Sequence, residues 1–391
     1  MVTAFDFYRT PQIHFGAGKL DLLADMVASF GKSVLLITGK ESFVNSPYWD
    51  DLIRGLKKQH LQFYHTVVSG EPTVSIVDSV CLRDRDYFID VVLAIGGGSV
   101  LDSGKAISAM FVEEGSVKDY LEGVGTKHPS GVKVPFIAVP TTSGTGSEAT
   151  KNAVISQVGD NGFKRSLRHN NYVPDLAIID PRLMLSCPAR LTADTGMDAF
   201  TQLLEAYLSP KSTFMIDDFA QRGFRCIADY YNRACMNGDS DIEARAGMAY
   251  AALVSGIALA NAGLGVVHGI AASVGGLFDI PHSVVCGSVM AGANQVTVDH
   301  LIKTDKNNPA LGKYAAAGRI FLQKNGQSDL FYIDGFMDLL ASWREQYKMP
   351  RLSSFGVSDK HIDKIVEGTS LKNHPARLSS DQIRKIIAER I

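Results

Sequence analysis

The chain changes grammar part-way along. Up to about residue 182 short β-rich runs alternate with amphipathic stretches, whereas beyond Asp180-Pro181 the segments are long, Ala-rich and poor in strand formers. Strand and helix alternating with short connections predict a parallel sheet covered on both faces. A succession of helical segments without strands predicts an all-helical unit. At 391 residues the chain exceeds what one core usually supports. The expected fold is therefore an α/β N-terminal domain with a parallel sheet over 1–182, followed by an all-α C-terminal domain over 183–391. No low-complexity linker or internal repeat separates them, so the junction is expected to be tight.

Residues 33–38, 61–65, 91–95 and 134–139 read as strands, and 46–57, 73–84 and 100–111 as helices. In the second half helices are expected near 192–208, 213–236, 240–262, 266–278, 283–299, 310–323 and 329–346, with a charged pair near 358–368 and 379–390. From Gly247 to Phe278 there is no Asp, Glu, Lys or Arg, a length that would span a bilayer. The stretch is rich in Ala and Gly, carries Asn261 and His268, and is broken by Gly263-Leu264-Gly265. A buried helix pair is expected there, not a membrane span.

Charge narrows the partners. Lys and Arg number 39 against 41 Asp and Glu, with no basic stripe to meet a phosphate backbone, so nucleic acid is not expected. The five cysteines, Cys81, Cys187, Cys226, Cys235 and Cys286, are scattered without a CxxC pair, which suits reduced thiols in a cytoplasmic protein. The opening MVTAFDFYRTPQIHF lacks the cationic and apolar blocks of a secretory signal.

Two turns carry the first chemistry. Gly96-Gly97-Gly98-Ser99 follows an apolar strand directly and precedes the helical Val100-Leu101-Asp102-Ser103-Gly104-Lys105. Glycines there admit a ligand close to the backbone, and the free N–H groups of a helix N-terminus attract an anion such as a pyrophosphate. Capping of the helix by Ser99, with Asp102 three residues on, is the plainer reading, but three consecutive glycines go beyond what capping needs and favour phosphate binding. The spacing is not the GxGxxG dinucleotide fingerprint. The second turn runs from Pro140 to Glu148, where Thr141, Thr142, Ser143 and Thr145 offer neutral donors. Two such turns at the ends of neighbouring strands would converge on one cleft.

In the helical half Asp198 and Gln202 are four apart and so share a helix face. His268 lies in Val267-His268-Gly269, and His282 follows Pro281. A carboxylate with two imidazoles suits zinc or iron with a position left for substrate. By spacing alone these residues make no recognised ligand motif, and a hydrogen-bonded core histidine is the plainer reading of each.

Taken in order, GGGSVLDSGKAIS, PTTSGTGSEAT, PDLAIIDP, ADTGMDAFTQLLEAY and GLGVVHGIAASVGGLFDIPHS resemble the iron-containing, or group III, alcohol dehydrogenases. The match runs from Phe15-Gly16-Ala17-Gly18 to Lys372-Asn373-His374-Pro375 and covers essentially the whole chain. The resemblance implies a homodimer that uses NAD or NADP and one divalent metal, iron or zinc, with the active site between the two domains. By position Gly97, Gly98 and Ser99 would hold the pyrophosphate beside Asp102. Thr141, Thr142 and Thr145 would line the nicotinamide end, and Lys164 would contact the cofactor. Asp198, His268 and His282 fall on three of the family's four metal ligands, and Gln202 stands where the fourth is normally His.

Three departures follow. The Gln202 carboxamide is a weaker ligand than imidazole. Ala272 replaces an additional His found in many members. Gly39, at the end of the first strand, stands where many NAD-using members place an Asp for the ribose hydroxyls, and with Lys40 beside it leaves room for a 2′-phosphate. Gln202 and the ending SLKNHPARLSSDQIRKI are most similar to a subgroup that oxidises the C8 hydroxyl of 3-deoxy-D-manno-octulosonate for an amino sugar of lipopolysaccharide. The implied reaction is reversible oxidation of a primary alcohol to an aldehyde, catalysed around Asp198, His268 and His282. For a sugar acid Arg165, Arg168 and Lys151 are candidate carboxylate partners. The rival readings are a dehydroquinate-synthase-like lyase that uses NAD transiently, and a nucleotide-binding protein whose metal site has lost catalysis.

Overall fold

The structure, a computed structural model, describes residues 4–391; the first three residues of the opening stretch read above for a signal lie outside them. Eight strands and thirteen helices follow one another in the order expected for an α/β half and a helical half. The strands are β1 (Gln12–Phe15), β2 (Ser33–Thr38), β3 (Gln62–Val67), β4 (Val91–Gly96), β5 (Phe136–Pro140), β6 (Asn152–Gln157), β7 (Phe163–Arg168) and β8 (Leu176–Ile179). Helices α1 (Leu23–Ala28), α2 (Tyr48–Lys58), α3 (Val74–Asp84) and α4 (Gly98–Met110) connect the first strands.

Six strands form one parallel sheet in the order β1-β8-β5-β4-β2-β3. The residues of β2 and β4 that pair are buried and, apart from Thr38, apolar, as strands covered on both faces require. From β2 the chain moves by α2 to β3 on one side, and from β4 by α4 to β5 on the other. The order therefore reverses between β2 and β4, where Gly39 and Gly97 follow the strand ends. Open α/β sheets hold their ligands in such a crevice.

Two features were not foreseen. β1 and β8 add the β5-side edge of the sheet, and β6 and β7 form a separate antiparallel hairpin in which Asn152 faces Arg168. β6 packs on α4 while β7 packs on the helix Val266–Leu277 of the helical half, so the hairpin ties the two halves together. Capping by Ser99 is corrected as well. The residue before α4 is Gly97, which offers no side chain, and Ser99 lies inside the first turn.

The helical half contains α5 (Ala189–Leu208), α6 (Phe214–Asn237), α7 (Ile242–Ala262), α8 (Val266–Leu277), α9 (His282–Thr304), α10 (Pro309–Leu322), α11 (Asp329–Gln346), α12 (Ile362–Gly368) and α13 (Ser380–Ala388). The uncharged stretch forms α7 and α8, broken at Gly263, whose φ of 70° ends α7. Among the described residues α7 alone is long and apolar enough to cross a membrane, but here it is a core helix, buried over most of its length. Its Ala249, Leu253 and Ile257 pack on Ala177 and Ile179 of β8 and close the junction between the halves.

One buried cation fixes the second turn. Lys105 Nζ, 1% exposed, donates to Ser147 O, Ser147 Oγ, Thr150 Oγ1 and Asn152 O at 2.7–3.0 Å. Asp102 accepts from Ser147 Oγ and, at 2.9 Å, from Val154 N–H. Burial lowers the Lys105 pKa to about 8 despite the nearby Asp102. The turn is thus held by α4 from beneath.

Candidate active site

Three helices bring the predicted metal residues together. Asp198 lies mid-way along α5, His268 is the third residue of α8, and His282 opens α9 directly after Pro281. Asp198 Oδ1 is 3.5 Å from His268 Nε2 and 3.9 Å from His282 Nε2. Cys286, one turn after His282, completes a group whose donor atoms all lie within 4.8 Å of one another. Gln202 faces the same group and donates from Nε2 to Asp198 Oδ2 at 3.4 Å.

The atoms here fit a divalent cation. Asp198 Oδ1 and Gln202 Oε1 are buried and have no hydrogen-bond partner, an arrangement that costs about 1–3 kcal/mol per group unless something fills it. The donor set of one carboxylate and two imidazoles suits zinc or iron. Burial opposes charge on both imidazoles. At His282 it wins and lowers the pKa to about 4, leaving a neutral ring able to ligate. At His268 burial is outweighed by Cys286 and by the Asp198 and Glu205 carboxylates, and the pKa lies well above its usual value.

The two turns meet as their strand pairing predicts. Gly96 of β4 pairs with Pro140 of β5, and Thr141 N–H donates to Gly96 O at 2.9 Å. A Cβ on Gly98 would lie 2.5 Å from Thr145 Cγ2, so glycine is required for this approach. Gly146, at φ 60°, sets the turn against α7, where a Cβ would meet Gly256 N at 2.5 Å.

A cleft of about 480 Å³ runs from these turns to the cation group. Gly98, Ser99, Asp102 and Thr145 line one wall, and Gln202, His268 and His282 the other. Gly97, Thr141 and Thr142 do not line the cleft themselves, and Thr142 Oγ1 is 3.4 Å from where a Gly97 Cβ would sit. Lys164, from β7, lines the cleft and donates to Glu71 Oε2 at 2.8 Å. Ala272 also lines it and offers no proton-relaying group. Gly39 lies outside this cleft, at the end of β2.

Comparison with known proteins agrees with this geometry. Residues 10–181 match the model of the iron-containing alcohol dehydrogenases, and residues 192–391 match the C-terminal model of the Fe-containing alcohol dehydrogenase family. The chain belongs to the iron-containing alcohol dehydrogenases. It is 30% identical to a 1-propanol dehydrogenase of Salmonella typhimurium over 97% of each chain. An NADPH-dependent butanol dehydrogenase of Clostridium saccharobutylicum is 28% identical over 96% of this chain and 95% of its own. Among solved structures, a 1,3-propanediol oxidoreductase superposes with a TM-score of 0.88 at 27% identity over the whole of both chains.

Members of this alcohol dehydrogenase family are oxidoreductases that use NAD(P) and a divalent metal. Both matching models belong to it, which favours the oxidoreductase over the lyase and the non-catalytic binding protein.

Within this alcohol dehydrogenase two residues at the site were missed. Glu205 Oε2 accepts from His268 Nδ1 at 2.7 Å and Glu205 Oε1 accepts from Val267 N–H at 2.7 Å. It therefore caps the start of α8 and aims His268 Nε2 at Asp198 in one step. Burial works against the charges of Asp198 and Glu205, yet His268 outweighs it and holds both below the usual carboxylate range. The signal was available, because Asp198, Gln202 and Glu205 follow the 0, 4, 7 spacing of one helix face. Cys286 is the second, four residues after His282 on α9.

A cationic cluster was legible in part. Lys151, Arg165 and Arg168 line the cleft as expected, joined by Lys211 and Lys372. Burial lowers the Lys151 pKa to about 8, and Arg168 and Lys211 push it the same way. Glu122, 3.4 Å from Arg168, answers only part of this positive charge.

Proposed function

We propose that this alcohol dehydrogenase oxidises a primary alcohol that carries an acidic group, and that a sugar acid is its substrate, 3-deoxy-D-manno-octulosonate oxidised at C8 being the specific candidate. The observation that carries the reading is the single cleft in which the glycine-rich turn, the Asp198/His268/His282 group and the Lys151–Arg168–Lys211 cluster all open. Gln202 at the fourth ligand position and the SLKNHPARLSSDQIRKI ending support the narrower substrate.

In this reading Asp198, His268 and His282 hold the divalent metal, with Gln202 against them. Gly97, Gly98 and Ser99 seat the pyrophosphate on the start of α4, backed by Asp102. Thr145 and the turn from Thr141 and Thr142 confine the nicotinamide end, and Lys164 approaches the cofactor from the hairpin. A metal held there would supply Lewis acidity to the alcohol oxygen, and a nicotinamide seated on the turns would supply the hydride acceptor. Lys151 and its neighbours receive the substrate carboxylate, which relieves their mutual repulsion. Gly39 and Lys40 leave space and charge for a 2′-phosphate, so NADP is the preferred cofactor. A homodimer in the cytoplasm, in lipopolysaccharide synthesis, completes the reading.

The test follows reduced cofactor spectroscopically in the metal-loaded full chain, with neutral primary alcohols and with 3-deoxy-D-manno-octulosonate. A higher kcat/KM for the acid supports the reading. Equal or better turnover of neutral alcohols overturns the acidic substrate, and no net cofactor reduction with any alcohol overturns the oxidoreductase itself.

A further inference from the structure

The fourth metal ligand of this family is missing in sequence, because residue 202 is Gln. The fold offers a replacement from a different helix. Cys286 Sγ lies 3.9 Å from His268 Nε2 and 3.7 Å from His282 Nε2, on the side of the group that α9 supplies. Donors about 2.0–2.3 Å from one tetrahedral ion stand about 3.3–3.7 Å apart. Four of the six donor separations, Asp198–His268, Asp198–His282, Cys286–His268 and Cys286–His282, fall between 3.5 and 3.9 Å and the other two lie within 4.8 Å, so the donors must draw in by up to about an ångström to share one ion.

A buried cysteine is more often a small apolar filler. Cys226 and Cys235 fit that description, packed in the helical core. Cys286 differs, because its sulfur faces two imidazoles and a carboxylate whose Oδ1 is buried without a hydrogen-bond partner. Gln202 points its N–H group at Asp198 Oδ2, the oxygen away from this set, and so orients the carboxylate.

We infer that Cys286 is the fourth protein ligand of the metal, bound as thiolate beside Asp198, His268 and His282, with Gln202 positioning Asp198 and a fifth position left for the alcohol oxygen of the proposed function. A sulfur–metal bond forms as the S–H proton leaves to solvent. The carboxylate and thiolate together balance the charge of a divalent ion, and a thiolate beside two imidazoles suits zinc. The inference rests on the metal site of the proposed function.

The experiment strips the full chain of metal, reloads it with Co2+ alone and records its absorption spectrum and metal content. Bound cobalt should give a sulfur-to-cobalt charge-transfer band in the near ultraviolet. The band should vanish in Cys286→Ser, survive in Cys235→Ser and Gln202→Ala, and Cys286→Ala should weaken cobalt binding about tenfold or more. Bound cobalt without the band in the unaltered protein overturns this inference alone, whatever the variants do. No bound cobalt overturns the metal site as well.

Discussion

His268 and Glu205 are joined by a 2.7 Å hydrogen bond from Nδ1 to a buried carboxylate oxygen, and this contact presents the opposite ring nitrogen to Asp198, 3.5 Å away. Glu205 is also within hydrogen-bond distance of the backbone N–H groups of Val267 and His268, so ring and helix are set together. Glu205→Gln keeps an acceptor but loses the charge that makes the ring a strong donor to metal. Metal affinity should fall about 10–100-fold with little change in melting temperature, as measured by competition with a coloured chelator.

The crevice between β2 and β4 predicts cofactor choice. A Cβ on Gly39 would meet only Val100 Cγ2 at 3.7 Å, an ordinary contact, so the backbone there admits a side chain. Gly39→Asp places a carboxylate where it repels a 2′-phosphate and accepts from ribose hydroxyls. The ratio of kcat/KM for NAD over NADP should rise about tenfold, or about 1.4 kcal/mol. An unchanged ratio would place the ribose elsewhere.

Lys151 predicts a pH limit on substrate binding. With its pKa lowered to about 8 by burial and then by Arg168 and Lys211, it is cationic below pH 8 and neutral above. KM for an acidic alcohol should therefore rise as pH passes 8, while KM for a neutral alcohol stays flat. Lys151→Ala should raise the acidic KM about tenfold, near 1.5 kcal/mol, and remove that pH step. Steady-state kinetics on both substrates across pH separate the two effects.

Glu148 sits in the second turn, 3% exposed, and burial raises its pKa from 4.5 to about 7. A carboxyl whose folded pKa exceeds its unfolded value favours folding in its protonated form. Its contribution is full below pH 4.5 and is lost as pH rises through 7. Glu148→Gln should flatten that decline and raise stability at pH 8 by roughly 2–3 kcal/mol at most. Urea unfolding at pH 5 and pH 8 reads the difference.

What was legible in the sequence follows from how each signal is written in the chain. The strands β2 and β4 announce themselves as unbroken apolar runs because both faces are buried, and the long helices of the second half do so by their Ala content. The β6–β7 hairpin escaped because Phe163–Arg168 carries Lys164, Arg165 and Arg168, which line the cleft, so its pattern is set by the site and not by the core. Asp198, Gln202, His268 and His282 were found through ordered motifs and not through spacing, since three helices assemble them. Glu205 and Cys286 were missed because a buried Glu and a buried Cys in helical segments look like core until their partners on other helices are known. Ser99 does not cap, because the helix begins at Gly98, two residues before the expected start at 100, where Thr145 leaves no room for a side chain.

The most direct test of a metal-dependent alcohol dehydrogenase built on Asp198, His268 and His282 is metal titration of the stripped full chain while NADP reduction by a primary alcohol is followed. Activity should appear in step with binding of about one equivalent of divalent metal, and both should be lost in His268→Ala. Binding of less than about a tenth of an equivalent with no activity on metal addition, or full activity in His268→Ala, would contradict it.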